Sequence, residues 1–247
     1  MNRSDTTETN RHSTSIIAGV DGCKDGWFCL TKDLATGTIN SAVYKDAKSL
    51  LEQQPEPLLI AIDIPIGLTE AGPRICDIEA RKLIGPRRSS IFPAPIRPVL
   101  QAKTREEADS IGRQVDSRGV PAQAFAIYDK IRDIDEILIK RPGLQGRIKE
   151  VHPEVCFWAW NSKKYISYSK KTEEGQLQRR DLIDKTFGDK IVEEIRAKYL
   201  KKAVATDDIH DAFAALWTAE RVCKAKASVI PDPSPKDAFE LHMEMWY

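Results

Sequence analysis

The chain has 247 residues, 41% of them hydrophobic and 30% charged, with 38 basic against 37 acidic side chains and a formal net charge of +1. That length holds one large domain or two small ones, and the balanced charge excludes a global attraction to nucleic acid, so any such affinity has to come from a local patch. The five cysteines, Cys23, Cys29, Cys76, Cys156 and Cys223, stand singly with no C-x-x-C pair, which reads as reduced thiols in a cytoplasmic protein, and no apolar run approaches the ~20 residues of a membrane-spanning helix.

Residues 1–15 are polar, without the apolar core of a secretory signal, and are predicted to be a disordered tail. Ile16 to Val20 then reads as a buried strand, followed by a glycine-bracketed link, Asp21 to Gly26, and a second strand, Trp27 to Thr31. With Thr38 to Tyr44 as a third strand this is an antiparallel meander, and Asp21 is expected at the end of its first strand, a central one in the sheet. Ala47 to Gln54 is predicted to be a short helix. Leu58 to Asp63 is almost wholly apolar and is bounded by Pro57 and Pro65. Such a run fits a strand covered on both faces, in a parallel part of the sheet. Its one charge, Asp63, should emerge at the carboxyl edge, where open α/β sheets hold their ligands.

From about 69 to 146 the pattern changes to helix and loop, broken by prolines from Pro73 to Pro142, and reads as an insertion into a single domain spanning 16–227. Arg74, Asp77 and Arg81 share one helical face. Arg74 and Arg81 with Lys82, Arg87, Arg88 and Arg97 form a basic stretch around Ser89-Ser90-Ile91-Phe92-Pro93 that either contacts phosphate oxygens or is a solvated helix face and loop. A long helical region follows from about 103 to 140, broken near Gly119-Val120-Pro121. Its apolar positions Ala124, Ile127, Ile131, Ile134 and Leu138 are expected in the core.

Gly146 to Val151 resumes a strand pattern, with Glu150 at its end, and runs into His152-Pro153-Glu154. Glu154 beside a first-turn proline is either a helix-dipole acid or a site residue. Lone His152 is expected to be simply hydrogen-bonded. Residues 163–202 are rich in mixed charge, with Lys163-Lys164 and Lys170-Lys171 among the pairs, and read as solvated helix surface. The last helix runs from Thr206, as N-cap, to about Lys226. Asp208 and Asp211 share one side of it, where they either complement the helix dipole or serve a site. The tail from Ser228 to Tyr247, with Phe239, Leu241, Met243, Met245 and Trp246, either packs back or reaches a partner, and its apolar residues suggest a homodimer contact. No repeat and no Walker or Rossmann glycine-rich loop is present.

The order of these elements resembles the ribonuclease H-like superfamily, and Asp208-x-x-Asp211-Ala212 is similar to the D-x-x-D-A pattern of its Holliday-junction resolvase branch. Gly19-Val20-Asp21-Gly22-Cys23-Lys24-Asp25-Gly26-Trp27, Ile62-Asp63-Ile64-Pro65-Ile66-Gly67-Leu68, Arg74 to Arg81 and Glu150-Val151-His152-Pro153-Glu154 together resemble the predicted nucleases filed as domain of unknown function 429, from about Ile16 to Lys226. The resemblance implies an α/β fold, a mixed five-stranded sheet flanked by helices, and phosphodiester cleavage with carboxylate-held Mg2+ or Mn2+. Two-metal hydrolysis would then place ions ~4 Å apart on a bridging carboxylate. Asp21 is the expected bridge, Asp63 and Asp211 complete the metal ligands, Asp208 is auxiliary, and Glu150 or Glu154 holds a water. Arg74, Arg81 and Arg97 would bind phosphate oxygens of a nucleic acid or nucleotide. The alternatives are an actin-like or sugar-kinase-like phosphotransferase, with Asp21-Gly22 at a nucleotide's magnesium, and a non-catalytic nucleotide- or nucleic-acid-binding protein.

Overall fold

The computed structural model describes residues 15–247. Apart from Ser15, whose hydroxyl donates to Asp33 Oδ1 at 2.5 Å, the predicted N-terminal tail lies outside the described residues. A five-stranded mixed sheet organises the chain. Strands β1 (Ile16–Cys23), β2 (Gly26–Asp33) and β3 (Ile39–Tyr44) form the antiparallel meander. β4 (Leu59–Ile62) lies parallel to β1, and β5 (Ile148–Glu150) parallel to β4, giving the order β3-β2-β1-β4-β5.

The hairpin link is shorter than the sequence suggests. Both strands run on to a turn at Lys24-Asp25, because Gly26, at φ +134°, takes a backbone angle that other residues rarely adopt. Asp21 therefore lies within β1, opposite Phe28, rather than past its end. β4 is buried along its whole length, as its apolar run predicts, and the Asp63 N–H continues the ladder to Val20 O at 3.0 Å.

Helices cover both faces. One face packs on α1 (Ala47–Leu51) and on the insertion, which contains α2 (Ile75–Leu83), α3 (Arg105–Asp116), α4 (Ala122–Phe125) and α5 (Tyr128–Lys140). Of the apolar positions expected in this core, Ile131, Ile134 and Leu138 are buried, Ala124 is half-buried, and Ile127 turns outward. The other face packs on α6 (Pro153–Trp160), α7 (Glu173–Phe187), α8 (Ile191–Arg196) and α9 (Thr206–Cys223). α9 begins one residue earlier than the proposed cap requires: Ala205, not Thr206, is the N-cap, and Asp208 Oδ2 accepts its N–H at 2.8 Å.

The last segment packs back on the domain. β6 (Val229–Ile230) pairs with β7 (Met245–Trp246), Trp246 bridges to Val151 beside the main sheet, and Leu241, Met243 and Met245 are buried. The apolar residues that suggested a homodimer contact are thus largely used within the chain. Among the described residues, no helix is long and apolar enough to cross a membrane.

Candidate functional site

A close approach of two backbones sets the site. Gly19, in β1, faces α9 so tightly that a Cβ there would lie 2.2 Å from Leu216 N and 2.4 Å from Ala212 O. Side chains alternate along a strand, so Asp21 faces the same side as Gly19. It therefore meets the first turns of α9, where Asp211 precedes Ala212. Asp63 extends β4 next to it. Three carboxylates from β1, the end of β4 and α9 thus converge on the floor of a cleft of about 640 Å³. Arg87, Ser90 and Phe92 from the insertion, Gln123 and Lys130 from its later helices, and Ser169, Lys170 and Lys171 from the loop before α7 also line it.

The negative charge of the floor is only partly compensated. Asp21 is 8% exposed and Asp211 3% exposed. Burial, then the neighbouring Asp211, Asp63 and Asp208, raises the Asp21 carboxyl well above the usual carboxylate range. Burial and then Asp211 push Asp63 up to about 8. Neither the Asp21 nor the Asp63 side chain has a hydrogen-bond or ion-pair partner among the described residues. Asp211 has one: Lys170 Nζ donates to its Oδ2 at 2.6 Å and stands 4.0 Å from Asp207. Asp211 above all, with help from Asp21 and Asp63, holds the Lys170 ammonium charged, against the opposing effect of its burial.

The other expected site residues have partners of their own. Asp208 is half-buried and does not line the cleft; its carboxylate caps α9, and burial pushes it up to about 6. Arg74 is 2% exposed. Its Nη2 bonds Asp77 Oδ1 and Glu150 Oε1 at 2.6 Å each, Nη1 reaches Glu150 Oε2 at 2.7 Å, and Nε reaches Asp77 Oδ2 at 3.2 Å. Ile66 N–H takes Glu150 Oε2 at 2.6 Å, and Ala94 N–H takes Asp77 Oδ2 at 2.9 Å. No donor of this guanidinium is left for phosphate, and Glu150 is its counterion. Arg81 donates to Ile91 O. Arg97 grips Asp135 at 2.8 and 3.0 Å and also pairs with Asp237, which ties the C-terminal segment to the insertion. Glu154 receives buried Arg179 at 2.5 Å, and His152 caps α6, its Nδ1 accepting Glu154 N–H at 3.2 Å.

Among the described residues, the three candidate metal ligands whose donor atoms all lie within 4.8 Å of one another are Cys76, Asp77 and Glu150. Arg74 already fills that trio. The cleft aspartates stand wider apart, yet their donors are hard oxygens of the kind Mg2+ and Mn2+ prefer, and two of them are unpartnered. They fit a divalent ion drawn in between them. Lys170 is the neighbour of these aspartates that the sequence hides, since nothing in the lysine-rich stretch separates it from Lys163, Lys164 or Lys171. Arg179, in the same charged run, is likewise buried instead of solvated.

The family model described as protein of unknown function (DUF429) matches residues 19–236, and the chain belongs to that family. No curated protein and no solved structure matches it.

Proposed function

We propose that this member of the DUF429 family is a metal-dependent phosphodiester hydrolase, a nuclease of ribonuclease H-like architecture, in which Asp21, Asp63 and Asp211 form the site for Mg2+ or Mn2+. One observation carries the reading: Asp21 and Asp63, two carboxylates without partners among the described residues, lie with a third, Asp211, at the floor of an open cleft with basic residues on its walls. Like charges crowded out of water are costly unless a cation neutralises them. The antiparallel meander followed by two parallel strands supports the ribonuclease H-like assignment, although a fold alone does not decide chemistry.

A bound divalent ion would supply an activated water and neutralise charge on the phosphate. The chain's own groups would do the rest. Lys130 and Lys171 on the walls are placed to meet phosphate oxygens, with Arg87, which stands 3.6 Å from Glu154, beside them. Phe92, 55% exposed at the rim, offers a face for a base to stack on. Arg74, Arg81 and Arg97 hold the insertion in place. A cleft of about 640 Å³ suits a single strand or a nucleotide better than a duplex.

The test compares wild type with Asp63→Asn in EDTA, Mg2+ and Mn2+, by thermal melting and by cleavage of labelled single-stranded DNA, RNA and duplexes. An ion that binds the folded state must raise its melting temperature. Wild type should gain stability and cleave in Mn2+, and Asp63→Asn should do neither. The proposal fails if wild type shows no metal-dependent shift even with an oligonucleotide present.

A further inference from the structure

The aspartate cleft already contains a cation, and it is covalently attached. Lys170 lies in the loop between α6 and α7, with its ammonium 2.6 Å from Asp211 Oδ2 and facing Asp21 and Asp63. Resting on the reading that this cleft binds a divalent ion, we propose that Lys170 stands in the place of a second ion. The protein then binds one divalent cation per chain, between Asp21 and Asp63, and the lysine ammonium carries the charge that a two-ion site would assign to its other metal.

The distribution of partners favours this division. Asp211 is taken by Lys170, whereas among the described residues the carboxylates of Asp21 and Asp63 accept no hydrogen bond. Those two project from the sheet side by side: Val20 pairs with Ile62 across the parallel strands, and the Asp63 N–H bonds Val20 O at 3.0 Å. The open ligands are therefore neighbours on one wall, and the satisfied one lies on the helix opposite.

Charge balance points the same way. Lys170 neutralises one of the three carboxylates, and one divalent ion neutralises the two that remain. Two divalent ions beside the ammonium would leave a buried site with two surplus positive charges, which is expensive away from water. An ion aiming for the Asp211 position must also displace an ammonium held close by its own chain, which competes at high effective concentration. A lysine ammonium is a compact charge with three N–H donors, so at this position it can meet a phosphate oxygen as an ion would.

The experiment is a Mn2+ titration of the full chain, counting bound ions from the paramagnetic resonance signal of free Mn2+, for wild type, Lys170→Met, Lys170→Arg and Asp63→Asn. Wild type and Lys170→Arg should bind one ion per chain, and Lys170→Met two, or one at least tenfold tighter. Two ions on wild type, or no gain in either number or affinity on Lys170→Met, overturns the inference while leaving the metal reading intact, provided Asp63→Asn loses binding. No ion on wild type and none on Lys170→Met overturns both. The Lys170 side chain is 37% exposed, so folding should survive; if Lys170→Met does not fold, Lys170→Gln takes its place, and the count on wild type still decides.

Discussion

Two groups of buried acids line the same cleft and have opposite fates. Asp77 and Glu150 surround Arg74, and each carboxylate also accepts a backbone N–H, so each of the four oxygens has a donor. Asp21, Asp63 and Asp211 share one half-exposed lysine, which bonds only Asp211. All five are carboxylates, and Asp21 and Asp211 are nearly as buried as Asp77 and Glu150, with Asp63 half-buried, so residue type and burial alone do not distinguish a structural acid from a candidate ligand. What distinguishes them is the donor inventory around each oxygen. The first group is a finished ion pair that holds the insertion against the sheet. The second has one cation, Lys170, for three carboxylates, and on the reading proposed above a divalent ion completes it.

Removing Arg74 should break this comparison most severely. Arg74→Met strands two carboxylates in the interior, and breaking a buried pair from one side costs about 3–5 kcal/mol. Denaturant unfolding at neutral pH should show that loss; a change below about 1 kcal/mol would mean that the trio is not ion-paired. The vacated Cys76, Asp77 and Glu150 keep metal-ligand spacing, so Zn2+ should restore part of the stability to the variant and none to wild type.

Gly19→Ala attacks the other group through its support. The new methyl would meet the α9 backbone at 2.2–2.5 Å, and rigid backbone cannot give way as a flexible side chain can. The expected cost is roughly 3 kcal/mol, at the top of the range for overpacking. α9 should shift away from β1, separating Asp211 from Asp21. The variant should then keep its helical circular dichroism and lose the Mn2+-dependent rise in melting temperature. Retention of that rise would show that the helix does not set the site's geometry.

The sheet was legible because its signals are local: glycines at the hairpin, and an unbroken apolar run at β4. The aspartates were legible as charges in places that only burial explains. The roles of the arginines were not, because a guanidinium and a phosphate-binding residue look alike until partners 76 residues away in sequence, such as Glu150 for Arg74, come into view. Lys170 was hidden for the same reason. Gly19 did carry a usable signal, since a glycine inside a strand often marks another backbone passing close by.

The pH dependence should sharpen the comparison more gently. Asp63 has its folded value raised to about 8, against about 4 in the unfolded chain. The folded protein therefore keeps a proton that the unfolded chain releases. That contribution is fully present below about pH 4 and is lost as the pH rises through 8. In EDTA, the melting temperature of wild type should fall relative to Asp63→Asn between pH 6 and 8.5. Mn2+ affinity should rise over the same interval, because the ion needs the ionised carboxylate. Parallel melting curves for the two proteins across that range would mean that Asp63 ionises normally without metal.

Asp208→Ala should have the smallest effect, and it separates two meanings of an acid near a metal. Asp208 lies one helical turn from Asp211 and raises Asp21 electrostatically, so by position it could be a ligand. Its Oδ2, however, is bonded to the Ala205 N–H at 2.8 Å, and it lies outside the cleft lining. A capping carboxylate contributes about 1 kcal/mol, and its loss should lower stability by that amount or less, because removing a negative charge also relieves Asp21. Mn2+ affinity should stay within a factor of two of wild type. A tenfold drop, with folding intact, would move Asp208 from the helix cap into the metal site and make the boundary between the two groups of acids less sharp than their hydrogen bonds imply.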